Sequence, residues 1–364
     1  MKITSTNKLY LTLFLGTILL CPLFNLIWID SYKDQTYQKT YLSNNINIKI
    51  NPSMYYLNNL TIDGSATGTN ANNWSWAVSN PWCSGTGTKT NPYIIQDIII
   101  QNRNFSFRSG ILIKYSQAYF EIQNCKIFNC SVNYENSGAA IKFINVTNGI
   151  IKNNNISSNF CTGILLINST YNSIVQNDIN NNDINLNLTI NGQPYNTSAI
   201  LLYLSNNNSL VENNLSFNSV GIYCQGTENL LSGNYFSHNK FAGLFVSGEF
   251  CKIFNNSFYF SNNGMLAESS YSEIYQNRII NSSSYSIIAR NGLHNKIFEN
   301  SIIHSSNTGI LVQNDQSSSF YQNNISNCFN GISFSVDPFS STGCSGTEVK
   351  NNTIKDIKNN GIYI

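Results

Sequence analysis

A short unit recurs along most of this 364-residue chain: a small residue, an aliphatic, any residue, then usually another aliphatic. It begins at Gly110 (GILI), Ala140 (AIKF), Gly163 (GILL), Ala199 (AILL), Gly221 (GIYC), Gly243 (GLFV), Gly264 (GMLA), Ser286 (SIIA), Gly309 (GILV), Gly331 (GISF) and Gly361 (GIYI). The spacings are 30, 23, 36, 22, 22, 21, 22, 23, 22 and 30. A fixed period of this kind constrains the fold more than any composition does, because each unit must stack on its neighbours to bury its apolar face. A second unit, aliphatic-x-x-Asn-x-aliphatic, lies between successive copies. Its Asn is Asn154, Asn177, Asn213, Asn234, Asn256, Asn277, Asn300, Asn323 and Asn352, and Cys125 takes the slot in the first coil.

A period near 22 is too short for helix pairs and suits one turn of a three-strand coil. Strand side chains alternate faces, so the aliphatics two apart in GILI point inward. The small leading residue is expected to admit a tight turn. The recurring Asn is expected at a turn, in a left-handed backbone. Stacking at about 4.8 Å per coil would bring successive amides into a ladder, each donating to one neighbour and accepting from the other. A leucine-rich repeat would need Leu at fixed slots and a helical segment, and neither is present.

The pattern resembles the right-handed parallel β-helix repeats of the NosD-like, pectin-lyase-like superfamily, over roughly residues 84–364. The stretch SGTGTKTNPYIIQDIIIQ from Ser84 resembles the family's lead-in to its first coil. The expected fold is all-β: a solenoid of about eleven coils, about 50 Å long at the strand spacing, over residues 91–364. Residues 33–90 are assigned to a linker and an N-terminal cap, with Trp74, Trp76 and Trp82 covering the first coil. Residues 1–32 are assigned to an export segment. The resemblance fixes no activity, because lyases, hydrolases, epimerases, binding proteins and adhesins share this scaffold.

Composition narrows the function. Asn accounts for 63 residues and charged residues for only 10%. Asn disfavours helix, and a net charge of +2 with four Arg speaks against nucleic acid. The 41% of hydrophobic residues suffices for a core. Lys2 and Lys8 precede an apolar run from Leu9 to Ile29, long enough to span a bilayer. With the positive flank at its N-terminal side, the rest of the chain is expected outside the cell. The run reads as a signal-anchor or as a cleaved signal peptide. Fifteen N-x-[ST] sequons, at Asn59, Asn145 and Asn324 for example, are compatible with export and with chance.

Catalysis on this scaffold would call for clustered carboxylates with an Arg or Lys. Asp97, Asp178, Asp183, Asp315, Asp337 and Asp356 occupy different coils and sides, and read as solvated surface charges. Arg278 and Arg290 do not stack. His238 and His304 share a column three coils apart, and His294 lies elsewhere, so no metal or other cofactor is expected. Three His and three Met do not support the copper handling linked to the NosD name. Cys224 reads as a core thiol. Cys130–Cys161 and Cys328–Cys344 are candidate disulfides.

Two outward columns invite a ligand. The first-strand column reads Leu165, Leu201, Tyr223, Phe245, Leu266, Ile288 and Leu311, an apolar stripe exposed unless something covers it. The second reads Phe254, Tyr275, Phe298 and Tyr321, which could brace the sheet or stack on sugar rings. Insertions at 128–139 and 181–198 could wall a groove over Lys142 and Leu165. The expectation is an exported, membrane-anchored surface scaffold that binds a polysaccharide or a surface protein. The alternative is a polysaccharide-modifying enzyme of the same superfamily. The last coil ends at Ile364 without a polar cap, which reads either as a truncated sequence or as an end covered by a partner chain.

Overall fold

The computed structural model describes residues 54–101, 109–130, 138–182, 187–190, 193–336 and 343–364. The apolar run at Leu9–Ile29 lies outside them, and no described helix is long and apolar enough to cross a membrane. Three sheets of twelve strands wind around one core. Sheet I holds the strands that follow the recurring Asn, such as Asn155–Ser157 and Ser257–Tyr259. Sheet II holds those that precede it, such as Lys252–Phe254 and Glu273–Tyr275. Sheet III holds the longer strands led by the small residue, such as Thr162–Ile167 and Val220–Gln225. Each strand pairs in parallel with its counterpart one coil away, for example Ile253 with Ile274. The exception is Cys83–Ser84, which runs antiparallel to Tyr93–Gln96.

Twelve coils form rather than about eleven. Tyr55–Leu57 pairs with Ile98–Gln101 in sheet I, and Leu60–Asp63 pairs with Ser109–Ser116 in sheet III. The solenoid therefore starts within the stretch assigned to the cap, not at residue 91. The repeat was hidden there because a helix, α1 (Trp74–Val78), interrupts the first coil. Asn73 caps α1 by accepting from the Trp76 N–H. Trp74 stacks on Tyr93 at 4.5 Å, and its indole N–H donates to Ser116 Oγ. Trp74 and Trp82 are buried against the core.

A typical coil buries four aliphatic side chains. Ile164 and Leu166 come from sheet III, Ile174 from sheet II and Ile179 from sheet I, and none is solvent-accessible. Burying one such side chain contributes roughly 1.5–3 kcal/mol. The leading Gly of the sheet III strand has another cause than the expected turn. Gly243 and Gly264 do not have positive φ. A Cβ on Gly243 would lie 2.6 Å from the Phe258 ring, and one on Gly264 would lie 2.5 Å from the Ser286 carbonyl oxygen. Space in the corner, not backbone conformation, selects a small residue.

The left-handed residue is likewise displaced by one from its expected place. Gln176, Glu212, Asn255, Gln276, Glu299 and Gln322 have positive φ, and each immediately precedes a ladder Asn. The αL residue turns the chain, and the following side chain then points into the corner. Its amide forms the expected ladder: from Asn154 to Asn352 each Nδ2 donates to the next Oδ1 at 2.9–3.0 Å.

Candidate functional site

Every coil has three corners, and the same device serves each. A second ladder runs between sheets I and III: Asn159 Nδ2 donates to Asn182 Oδ1 at 2.8 Å, and Asn218 and Asn239 continue it. A third runs between sheets III and II, from Asn172 to Asn208 and Asn229. Both were overlooked in the sequence, although a spacing of five residues marks them: Asn154 with Asn159, Asn177 with Asn182, and Asn172 with Asn177.

These columns explain the cysteines. Among the described residues the cysteines are present as thiols, and the candidate pairs Cys130–Cys161 and Cys328–Cys344 are not bonded. Cys125 and Cys130 head two ladders, their N–H groups donating to Asn154 Oδ1 and Asn159 Oδ1. Cys161 is a buried core residue whose thiol faces the Cys130 carbonyl at 3.8 Å. Cys328 Sγ accepts from Ser305 N, whereas Cys344 Sγ faces the Val312 carbonyl. Ser305 ends the sheet I strand Ser301–Ser305, whereas Val312 lies near the far end of the sheet III strand Thr308–Gln313, so Cys328 and Cys344 are held apart. Cys224 is fully buried in the core.

The apolar stripe on sheet III is not an open surface. Leu165 and Leu201 are 0% exposed. The antiparallel hairpin Asn187–Ile190 and Gln193–Asn196, part of the second insertion, brings Ile190 into a cluster with Ala139, Leu165, Leu201 and Tyr203. The insertion covers the Leu165–Leu201 end of the stripe where it was expected to wall a groove, so Leu165 is closed to a ligand. Lys142 lies beside Leu165 in register and is half-buried. Residues 131–137 of the first insertion lie outside the described residues.

Sheet II carries the exposed feature. Phe254, Tyr275, Phe298 and Tyr321 stack at 5.0, 4.9 and 4.8 Å, with interplanar angles of 6°, 6° and 1°. Lys350 Nζ stands 5.8 Å from the Tyr321 ring centroid at the end of the stack. Each inner ring spends both faces on its neighbours. The column therefore presents ring edges and tyrosine hydroxyls, and does not offer a row of faces for sugars. Four residues earlier, at the corner, stands a second aromatic ridge: Phe250 stacks on Tyr271 at 5.1 Å, and Tyr271 meets His294 at 5.3 Å. Phe250 and Tyr271 are 51% and 42% exposed. Between the ridges runs a charged column in strand register, Lys252, Glu273 and Lys296, with Lys296 Nζ 3.0 Å from Glu273. At about 3.3 Å per residue the ridges stand at most about 13 Å apart. Next to the Tyr275–Phe298 ridge, Gln276 Nε2 donates to Glu299 Oε2 at 2.8 Å.

Other charges are dispersed. Arg290 pairs with Glu268 on sheet III, and Arg278 projects from sheet I. Asp183 and Asp337 lie outside the described residues. Asp315 departs from the expected surface role: it is 0% exposed, Oδ1 has no partner, and Oδ2 accepts from Asn295 Nδ2 at 3.3 Å. Burial pushes its carboxyl above the usual carboxylate range. Among the described residues no three His, Cys, Asp or Glu side chains come together as metal ligands.

Residues 242–364 match the family model of the right-handed beta helix region. With its three parallel sheets, the chain folds as a parallel β-helix, of which residues 242–364 match the right-handed beta helix region. Solved structures similar to it include a double mutant of the periplasmic alginate epimerase AlgG, at 14% identity over 72% of this chain and 84% of the other (TM-score 0.47). PfbA, a surface adhesin of Streptococcus pneumoniae, is 15% identical over 69% and 72% (TM-score 0.41). The Dettilon tailspike protein is 12% identical over 73% and 62% (TM-score 0.47). No curated protein matches the sequence.

Proposed function

We propose that this protein is an exported, membrane-anchored β-helix scaffold that binds a linear polysaccharide along sheet II. The observation that carries the reading is the strip between the two aromatic ridges, along which Lys252, Glu273 and Lys296 stand in register. The ridges repeat at 4.8–5.3 Å, close to the length of one sugar ring in an extended chain. Successive coils thus meet successive sugars at one spacing. Lys ammonium and Glu carboxylate groups supply hydrogen bonds to ring hydroxyls, while the ring edges exclude water from the sides. Export is supported by the apolar run with Lys2 and Lys8 before it.

A glycan array with the full-length protein tests this reading. A linear glycan should be retained, and Lys252→Ala with Lys296→Ala should weaken it about tenfold, the loss of one or two charge-assisted hydrogen bonds. Lys142→Ala, on sheet III, should leave it unchanged. No retained glycan, or equal binding by the double variant, would refute this strip as the site. Shortened or modified products after incubation would favour the enzyme reading instead.

A further inference from the structure

Two buried nucleophiles lie near one another outside this strip. Cys224 points inward from the sheet III strand Val220–Gln225, opposite Val246 of the next coil. Cys251 follows Val246 by five residues, at the corner between sheets III and II. Both sulfurs reach the turn Gly226–Asn229 that follows Cys224. Asn229 Nδ2 lies 3.5 Å from Cys224 Sγ, and Cys251 Sγ faces the carbonyls of Gly226 and Glu249 at 3.5 and 3.6 Å. Both cysteines are buried, at 0% and 1% exposure. The corner slot does not demand sulfur: in the same column stand Asn208, Asn229, Ser272, Asn295 and Ser318. A thiol occupies the slot in the coil adjoining the inward Cys224.

We propose that Cys224 and Cys251 are a disulfide-forming pair that staples two consecutive coils when the chain matures in oxidising surroundings. The oxidant is a small-molecule disulfide such as oxidised glutathione. Cys251, at the corner, is taken as the attacking thiol, which loses its proton and reacts as the thiolate. Its sulfur forms a bond to one glutathione sulfur, the glutathione disulfide breaks, and the first glutathione leaves as thiolate. Cys224 then loses its proton and attacks Cys251 Sγ, which expels the second glutathione. Two protein thiols are oxidised, one glutathione disulfide is reduced, and the two protons end on the glutathione thiols. Because both sulfurs are buried, the exchange proceeds while these coils are open.

The test exposes the full chain to oxidised glutathione in urea below its unfolding midpoint. Remaining thiols are blocked, and the chain is digested and mapped without reductant. The nine cysteines should then leave seven titratable thiols, with the peptides carrying Cys224 and Cys251 joined. The unfolding midpoint should rise and return on adding reductant. Cys251→Ser keeps a residue that the column already accepts, and should retain all eight remaining thiols. Nine thiols in the treated wild type, a link between another pair such as Cys130 and Cys161, or loss of two thiols from Cys251→Ser would overturn the proposal.

Discussion

An asparagine buried at a corner of the solenoid has two N–H groups to give and an oxygen that accepts twice. Asn277 satisfies all four. Nδ2 donates to Ile253 O and Asn300 Oδ1, and Oδ1 accepts from the N and Nδ2 of Asn256. Asn277→Ala strands the Asn256 N–H in a dry corner and should cost about 3 kcal/mol, read as a lower urea midpoint. A loss under about 1 kcal/mol would mean that water replaces the amide. Asp315 shows the opposite case, a buried polar group only partly satisfied. It occupies a column that holds Gly292 one coil earlier, and a Cβ on Gly292 would strike its carboxylate. Since the folded carboxyl titrates above its ordinary value, the folded state holds the proton more tightly. Its contribution to stability is complete below about pH 4 and is lost as pH rises through the folded value. Asp315→Asn should therefore be more stable than wild type at neutral pH, with the gap closing toward pH 4. A gap independent of pH would show that ionisation is not its cause.

Strand alternation correctly set Leu165 and Leu201 on the outer face of sheet III, yet outward did not mean exposed. The cover is the hairpin ending in Ile190, which nothing in the repeat could announce because it lies in a break of the period. Ile190→Asp should release this hairpin at a cost of about 2 kcal/mol, the apolar burial lost. Protease should then cut between residues 187 and 196 much faster, while circular dichroism of the three sheets stays the same. Unchanged cleavage would show that Ile190 does not hold the hairpin down. The aromatic column of sheet II gives a related lesson. The sequence correctly placed Phe254, Tyr275, Phe298 and Tyr321 on one line, but whether a ring offers its face or its edge depends on the neighbouring coil. The second ridge escaped attention because Phe250, Tyr271 and His294 are αL corner residues, outside any strand pattern.

At the scale of the molecule, the period was enough to specify a parallel β-helix. A coil of about 22 residues cannot bury its own aliphatics, and stacking is the arrangement that buries them all while pairing the strand backbones. The inward residues, the principal Asn ladder and the outward columns were therefore legible in the sequence. Tertiary structure alone decided the rest. The first coil, broken by α1, lacks the spacing that reveals the others. The approach of Cys224 and Cys251 to one turn, the burial of Asp315 and the covering of Leu165 each depend on which side chain of one coil meets which side chain of the next. Periodicity records the positions that repeat. Contacts made by the positions that do not repeat exist only once the coils are stacked.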